Sequence, residues 1–155
     1  MFDEGLYDPA NEPDIAYAHL FSYFKGEEWR TQKELHRLLQ KYFKNAPDGI
    51  PGNDDTGTMS AWAIFNMMGF YPDCPGEPAY TLSTPVFDKV TIKLDPKYWG
   101  RDQLVIETER PSQSRFISVK WNWEEKNCPD IVSLMKNWCR VENCDLVFDR
   151  YCESG

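Results

Sequence analysis

The stretch GIPGNDDTGTMSAWAIFNMMG, Gly49 to Gly69, joins two unlike signals. Its first half is acidic and turn-forming, with Asn53, Asp54 and Asp55 between Gly52 and Gly57. Its second half, Thr58 to Gly69, is apolar at nearly every position and holds no proline. That half is expected to be a helix buried on most sides, with Gly69 as its C-cap. Asn45 to Asp55 contains two Pro, two Gly, two Asn and three Asp, enough chain breakers to read as a loop. Two neighbouring carboxylates repel each other and lose hydration on burial, so they need water, donors, a proton or a cation. Two readings of Asp54 and Asp55 follow. One is the acidic start of a helix, solvated and favoured by the helix dipole. The other is a catalytic or metal-binding loop.

Upstream, Asp14 to Phe43 reads as mostly helical, broken at Lys25-Gly26. Ile15, His19, Leu20 and Tyr23 recur at helical spacing, and Leu35, Leu38, Leu39, Tyr42 and Phe43 share one face of the second helix. Thr31 followed by Glu34 predicts a capping box. The string NEPD, Asn11 to Asp14, opens the first helix. It suits an N-cap with proline near the first helical position and acids in the first turn. Both acidic clusters therefore begin apolar helices, and a helix pair between them can return the chain to the same end. Glu12, Asn53, Asp54 and Asp55 would then face one pocket. Such an all-oxygen set suits Ca²⁺ rather than zinc. Paired acids also suit glycoside hydrolysis, where one carboxylate activates water and a carboxylic acid protonates the leaving oxygen.

Downstream, FYPDCPGEP interrupts any regular element, and from Tyr80 the period becomes two. VFDKVTIKLD, QLVIETE and RFISVKWNW read as strands. DIVSLMKNWCRV is a short helical candidate, and DLVFDRY is a last apolar run. Helices first and strands second give an α+β class, with the two pieces meeting near Pro85. No internal repeat is visible.

Composition narrows the function. The chain of 155 residues carries 17 basic and 25 acidic residues, a net charge of −8, which disfavours tracking of a nucleic-acid backbone. Aromatic residues make up 15%, a composition for burying rings or stacking them on a ligand. No apolar run is long enough to span a membrane. The start, MFDEGLYDPANEPD, lacks the positive-then-apolar pattern, so no signal peptide is expected. Cys74, Cys128, Cys139, Cys144 and Cys152 form no CxxC pair and have no histidine nearby, so free thiols are expected rather than zinc.

Taken in order, NEPD, YFKGEEWRTQ, PDGIPGNDDTGTMSAWAIFNMMGFYP and STPVFDKVTIKL closely resemble the family-92 glycoside hydrolases, from about Asp8 to Leu94. After about Arg110 the likeness fades. The resemblance implies a calcium-dependent, exo-acting α-mannosidase that inverts the anomeric centre. It implies terminal helices of an (α/α)₆ barrel over residues 1–79, and β-sandwich strands with a divergent tail over residues 80–155. Glu12 and Asn53 would hold Ca²⁺. Asp55 would be the base, with Asp54 beside it orienting water or calcium, the order of the pair being open. Trp29, Thr31 and Gln32 match a string near the sugar pocket. Trp62, Met59, Phe65, Met67 and Met68 read as core.

The family's general acid lies on an EG-x-x-W-x-Y-x-W string upstream of NEP, and these residues hold no such string. The expectation is thus part of an α-mannosidase acting on mannose-containing glycans, inactive alone, its partner the missing N-terminal part of the barrel. The alternatives are a non-catalytic carbohydrate- or calcium-binding remnant, and a structural fragment whose acids only cap helices. Full-length relatives are commonly periplasmic or secreted.

Overall fold

The computed structural model describes residues 6–76, 80–109, 116–121 and 145–149, the last two segments and residue 109 by their backbone alone. The chain opens with a 3₁₀-helix, Glu12–Tyr23, followed by α1, Glu28–Tyr42, and α2, Thr58–Met68. Among the described residues six strands follow: β1 Phe70–Tyr71, β2 Thr81–Leu82, β3 Lys89–Lys93, β4 Gln103–Glu109, β5 Phe116–Trp121 and β6 Asp145–Asp149. A short helix, α3 Pro96–Trp99, lies between β3 and β4. The mixed helix-then-strand order matches the expected α+β class. DIVSLMKNWCRV and four of the five cysteines lie outside the described residues; Cys74 is a free, exposed thiol.

The first helical segment differs from expectation in kind. It is 3₁₀ throughout its 12 residues, although such runs are ordinarily three or four residues long. Asn11 occupies its N-cap without a side-chain cap bond, and Pro13 follows in the first turn. The predicted capping box at Thr31 is absent. α1 begins three residues earlier because Phe24 to Glu27 close a turn through Glu27 N–H to Phe24 C=O at 2.9 Å. Glu28 also reaches back to the Gly26 N–H at 2.7 Å. Thr31 thus falls inside α1, on its buried face with Leu35, Leu38 and Leu39.

The helical core is a cluster of Tyr7, Ala18, Leu35, Leu38, Leu39, Trp62 and Ala63. Trp62 anchors it: its ring stacks on Phe43 at 5.6 Å, meets His19 edge-on, and its indole N–H donates to the Ile15 carbonyl at 3.1 Å. That bond satisfies the one polar atom of a side chain that is otherwise core. Met59 is buried as expected, whereas Phe65, Met67 and Met68 are half-buried.

α2 ends at Gly69, in the left-handed region at φ 92°. A side chain there would also meet Pro85, whose Cγ lies 2.6 Å from where a Cβ would stand. Around this point the helical and strand parts are joined. Ser83 N–H donates to Gly69 C=O at 2.8 Å, and Val86 N–H to Met67 C=O at 2.9 Å. FYPDCPGEP does not interrupt everything: its first two residues form β1, paired antiparallel with β2. The four-stranded sheet runs β3-β4-β5-β6, every pair antiparallel. Lys89 lies opposite Glu107 and bonds it at 2.6 Å, while the next register pair, Val90 and Ile106, points to the other face. Ile106 is buried there.

Candidate active site

The two acidic strings meet. Gly52, at φ 69°, brings its backbone so close to Ala10 that a Cβ would stand 2.6 Å from the Ala10 Cβ. Ala10 precedes Asn11-Glu12, and Gly52 precedes Asn53-Asp54-Asp55, so the NEP segment and the GNDD loop share one end of the helix bundle. The chain returns there because the 3₁₀-helix runs out, α1 runs back, and α2 starts beside the first helix. Tyr7 against Tyr42, with ring centroids 6.3 Å apart, packs the start of the chain on the end of α1 at this same end. Asp14 is buried there and accepts from the Asp8 N–H at 2.8 Å. Burial, with Asp14 nearby, pushes the Tyr7 phenol well above its ordinary range.

The adjacent acids have different environments. Asp54 has both oxygens engaged by one residue: Oδ1 accepts from the Ser60 N–H at 2.7 Å and Oδ2 from the Ser60 hydroxyl at 2.8 Å. These bonds hold its carboxyl below the usual carboxylate range. Its carbonyl accepts from Met59 N–H, and the Asp55 carbonyl from Thr58 N–H, each at 3.2 Å. Asp54 and Asp55 therefore satisfy the first three N–H groups of α2, which otherwise have no intrahelical partner. The Asp55 side chain takes no part in this. It is exposed, and no hydrogen bond or ion pair engages its carboxylate among the described residues.

The backbone that presents Asp55 is strained. Asp55 has φ 42° and Thr56 φ 60°, followed by Gly57 at 89°. Asp tolerates the left-handed region, but a β-branched Thr does so at a cost of order 1–3 kcal/mol. The Asp54–Ser60 clamp and the Thr58 hydroxyl, which donates to the Asp55 carbonyl at 2.7 Å, hold this conformation in place.

Glu12 and Asn53 are both exposed at the meeting point. They are hard oxygen donors of the type calcium takes, but Ca²⁺ requires 6–8 oxygens. No group of three or more His, Cys, Asp or Glu side chains arranged to hold a metal occurs among the described residues. Asp54 has already committed each oxygen to Ser60. Glu12 and Asn53 have the donor chemistry of a calcium shell but supply too few oxygens to complete one.

Trp29, Thr31 and Gln32 are not brought to the acidic end. They sit in the first turns of α1, which is 15 residues and so about 22 Å long. Their surroundings belong to the opposite end of the bundle. Gln32 accepts from the Thr84 hydroxyl at 3.4 Å, Arg30 lies over the rings of Trp29 and Phe21, and nearby Tyr23 donates to Asp73 at 2.9 Å. Thr31 is 1% exposed, and its hydroxyl has no partner among the described residues. Sequence reasoning missed Ser60, although an Asp-x₅-Ser spacing across a helix start is the signal that could have found it.

A sequence profile of the glycosyl hydrolase family 92 catalytic domain matches residues 1–136. The chain belongs to glycosyl hydrolase family 92. A curated relative, a secreted glycosidase of Arthroderma benhamiae, is 33% identical over 93 residues, 60% of this chain and 12% of its own length. A family-92 α-mannosidase from Bacteroides thetaiotaomicron, solved with mannoimidazole, is 39% identical over 54% of this chain and 11% of its own, with a TM-score of 0.52. A family-92 inverting mannosidase from the same species is 33% identical over 74% of this chain and 15% of its own, with a TM-score of 0.60. The chain thus spans under a sixth of the length of these relatives. Among the described residues no helix is long and apolar enough to cross a membrane.

Proposed function

We propose that this family-92 chain carries the base side of the catalytic centre of an inverting, exo-acting α-mannosidase. The observation that carries the reading is the division of labour between the two acids. Asp54 is spent on Ser60, while Asp55 is exposed, unengaged and held on a strained turn beside the NEP segment. In this reading residues 1–79 are terminal helices of an (α/α)₆ barrel, and residues 80–155 are strands of a β-sandwich with a divergent tail. Secretion, as the fungal relative's description has it, suits an enzyme that trims mannose from glycans.

Asp55 has the role of the carboxylate that takes a proton from the attacking water. In inversion that water enters opposite the leaving group, and base and acid stand about 6.5–9.5 Å apart to leave it room. The acid is supplied from outside these 155 residues, since no EG-x-x-W-x-Y-x-W string occurs among them. Asp54 has the role of a positioning residue: with Ser60 it fixes the turn from which Asp55 projects. Glu12 and Asn53 would contribute to a Ca²⁺ site. When bound, the ion supplies fixed positive charge and oxygen coordination for sugar hydroxyls. Trp29, Thr31 and Gln32 are left out of the sugar site because they stand at the far end of α1.

The test is the release of mannose by the complete catalytic domain containing this sequence. Asp55→Asn is expected to lower kcat by about 10²–10⁴-fold with KM nearly unchanged, the range for loss of a positioned base. Ser60→Ala is expected to lower kcat less and to loosen the turn. Wild-type rates in Asp55→Asn would overturn the assignment of the base.

A further inference from the structure

We infer that Thr58 is a positioning residue: its hydroxyl locks the left-handed turn that aims the Asp55 carboxylate. The inference deepens the proposed function and rests on the reading of Asp55 as the base.

Asp55, Thr56 and Gly57 stand in succession at φ 42°, 60° and 89°. Gly57 is at ease there and Asp tolerates the region, but the β-branched Thr56 is penalised. Nothing about Thr56 itself offsets that cost. Its side chain is exposed, and among the described residues no hydrogen bond engages it. The turn is held by two anchors outside it. Upstream, both Asp54 oxygens are bonded to Ser60. Downstream, the Asp55 carbonyl accepts from the Thr58 hydroxyl at 2.7 Å as well as from the Thr58 N–H at 3.2 Å.

The hydroxyl bond is surplus to the needs of α2. A helix start leaves N–H groups without acceptors, so capping side chains accept. The Thr58 hydroxyl donates instead, to a carbonyl that its own N–H already engages. Gly57 holds the N-cap position without a side-chain bond. The hydroxyl therefore adds nothing to capping, and what it fixes is the direction of the Asp55 carbonyl. Relief of the strain needs Asp55 and Thr56 to return to negative φ. Rotation about the Asp55 N–Cα bond swings its side chain against a frame that Asp54 and Ser60 hold still. The same relaxation carries the carbonyl off Thr58. Strain at Thr56 and the Thr58 hydroxyl bond thus act against each other, and the aim of Asp55 depends on their balance.

The experiment uses the complete catalytic domain containing this sequence. The rate is mannose release from an α-linked mannose disaccharide, and stability is the urea midpoint. Thr58→Val keeps the shape and loses the hydroxyl. It is expected to lower kcat roughly five- to tenfold with KM within about twofold, the scale of one neutral hydrogen bond that selects a conformer. Thr58→Ser keeps the hydroxyl and is expected to recover most of the loss. Thr56→Asn, added to Thr58→Val, is expected to restore kcat in part, because Asn occupies the left-handed region readily. A role in helix stability alone would lower the urea midpoint and leave the kcat of the folded enzyme unmoved. Thr58→Ala is measured alongside, so that the test survives if Thr58→Val does not fold. Wild-type kcat in the folded variant lacking the hydroxyl would overturn the inference, as would a loss that neither Thr58→Ser nor Thr56→Asn reduces. In either case a slow Asp55→Asn enzyme leaves the base assignment standing. Full activity in Asp55→Asn would overturn both.

Discussion

α1 and α2 are neighbours in sequence and pack into one core, yet they are built on opposite rules. α1 is amphipathic: Thr31, Leu35, Leu38 and Leu39 face inward and, apart from Trp29 in its first turn, polar side chains face out. Its start is a simple hydrogen-bonded turn. α2 is apolar on both sides, and its start is an acidic turn with two non-glycine residues at positive φ. The difference teaches that a helix's outward face and first turn carry separate information about its place. A polar face with a relaxed start marks a helix at the surface. An apolar outward face marks a helix built for an interior, and a strained acidic start persists only because surrounding bonds impose it.

The largest expected effect tests whether α2 is the organising element. Trp62→Ala removes the ring stacked on Phe43 and the bond to the Ile15 carbonyl. It is expected to cost about 3–5 kcal/mol, a large part of a typical domain's stability. Leu38→Ala, in the same cluster, falls in the range of about 2–5 kcal/mol, so stability alone separates the two poorly. Hydrogen exchange at the Ser60 amide does separate them. Trp62→Ala frees the 3₁₀-helix from α2 and loosens the meeting of Ala10 with Gly52, so Ser60 N–H exchanges faster. Leu38→Ala leaves that end in place. Equal acceleration in both variants would erase the distinction between the helices.

The comparison also explains what the sequence disclosed. Period placed α1, α2 and the strand VFDKVTIKLD to within a few residues, and Gly69 marked the end of α2, because side-chain spacing and a C-cap glycine act locally; the expected cap at Thr31 did not mark the start of α1. The meeting of NEPD with GNDDTG was legible from chain return alone. The 3₁₀ character of Glu12–Tyr23 was not, since apolar spacing near three and near 3.6 are hard to tell apart over 12 residues. Nor was the far placement of Trp29, Thr31 and Gln32. Their string adjoins the first helix in sequence, and only the direction of α1 carries them to the other end. The unlike roles of Asp54 and Asp55 were hidden as well, because they depend on which carboxylate Ser60 reaches.

The other end of α2 gives the next effect. Gly69 stands at φ 92° with Pro85 against the space a Cβ would need. Gly69→Ala is expected to cost roughly 2–4 kcal/mol, combining the left-handed penalty with overpacking. A urea midpoint shift below a quarter of the Trp62→Ala shift would mean that the junction with β1 and β2 gives way easily. α2 would then be fixed at its acidic start and not at both ends.

The smallest effect concerns the seam between the 3₁₀-helix and α2. His19 is 1% exposed, stacked on Tyr71 at 4.8 Å, with Nε2 3.0 Å from Asn66 Oδ1. Asn66 Nδ2 donates to the Trp62 carbonyl, so its Oδ1 accepts and His19 Nε2 carries the hydrogen. Desolvation holds the His19 pKa below its ordinary 6.5, against opposing contributions from the Asn66 hydrogen bond and from Asp73. The folded state therefore keeps the ring neutral where the unfolded chain binds a proton. This contribution is complete above pH 6.5 and is lost as pH falls from 6.5 toward the folded-state pKa. The slope grows through that window and can reach at most about 1.4 kcal/mol per pH unit, one proton's worth. His19→Gln keeps a donor toward Asn66 but cannot titrate, so its stability should fall less than wild type between about pH 7.5 and 5.5. Urea denaturation at the two pH values measures this. Parallel losses in the two proteins would mean that the seam admits the charged ring, and that α2 is less firmly inward than its apolar faces imply.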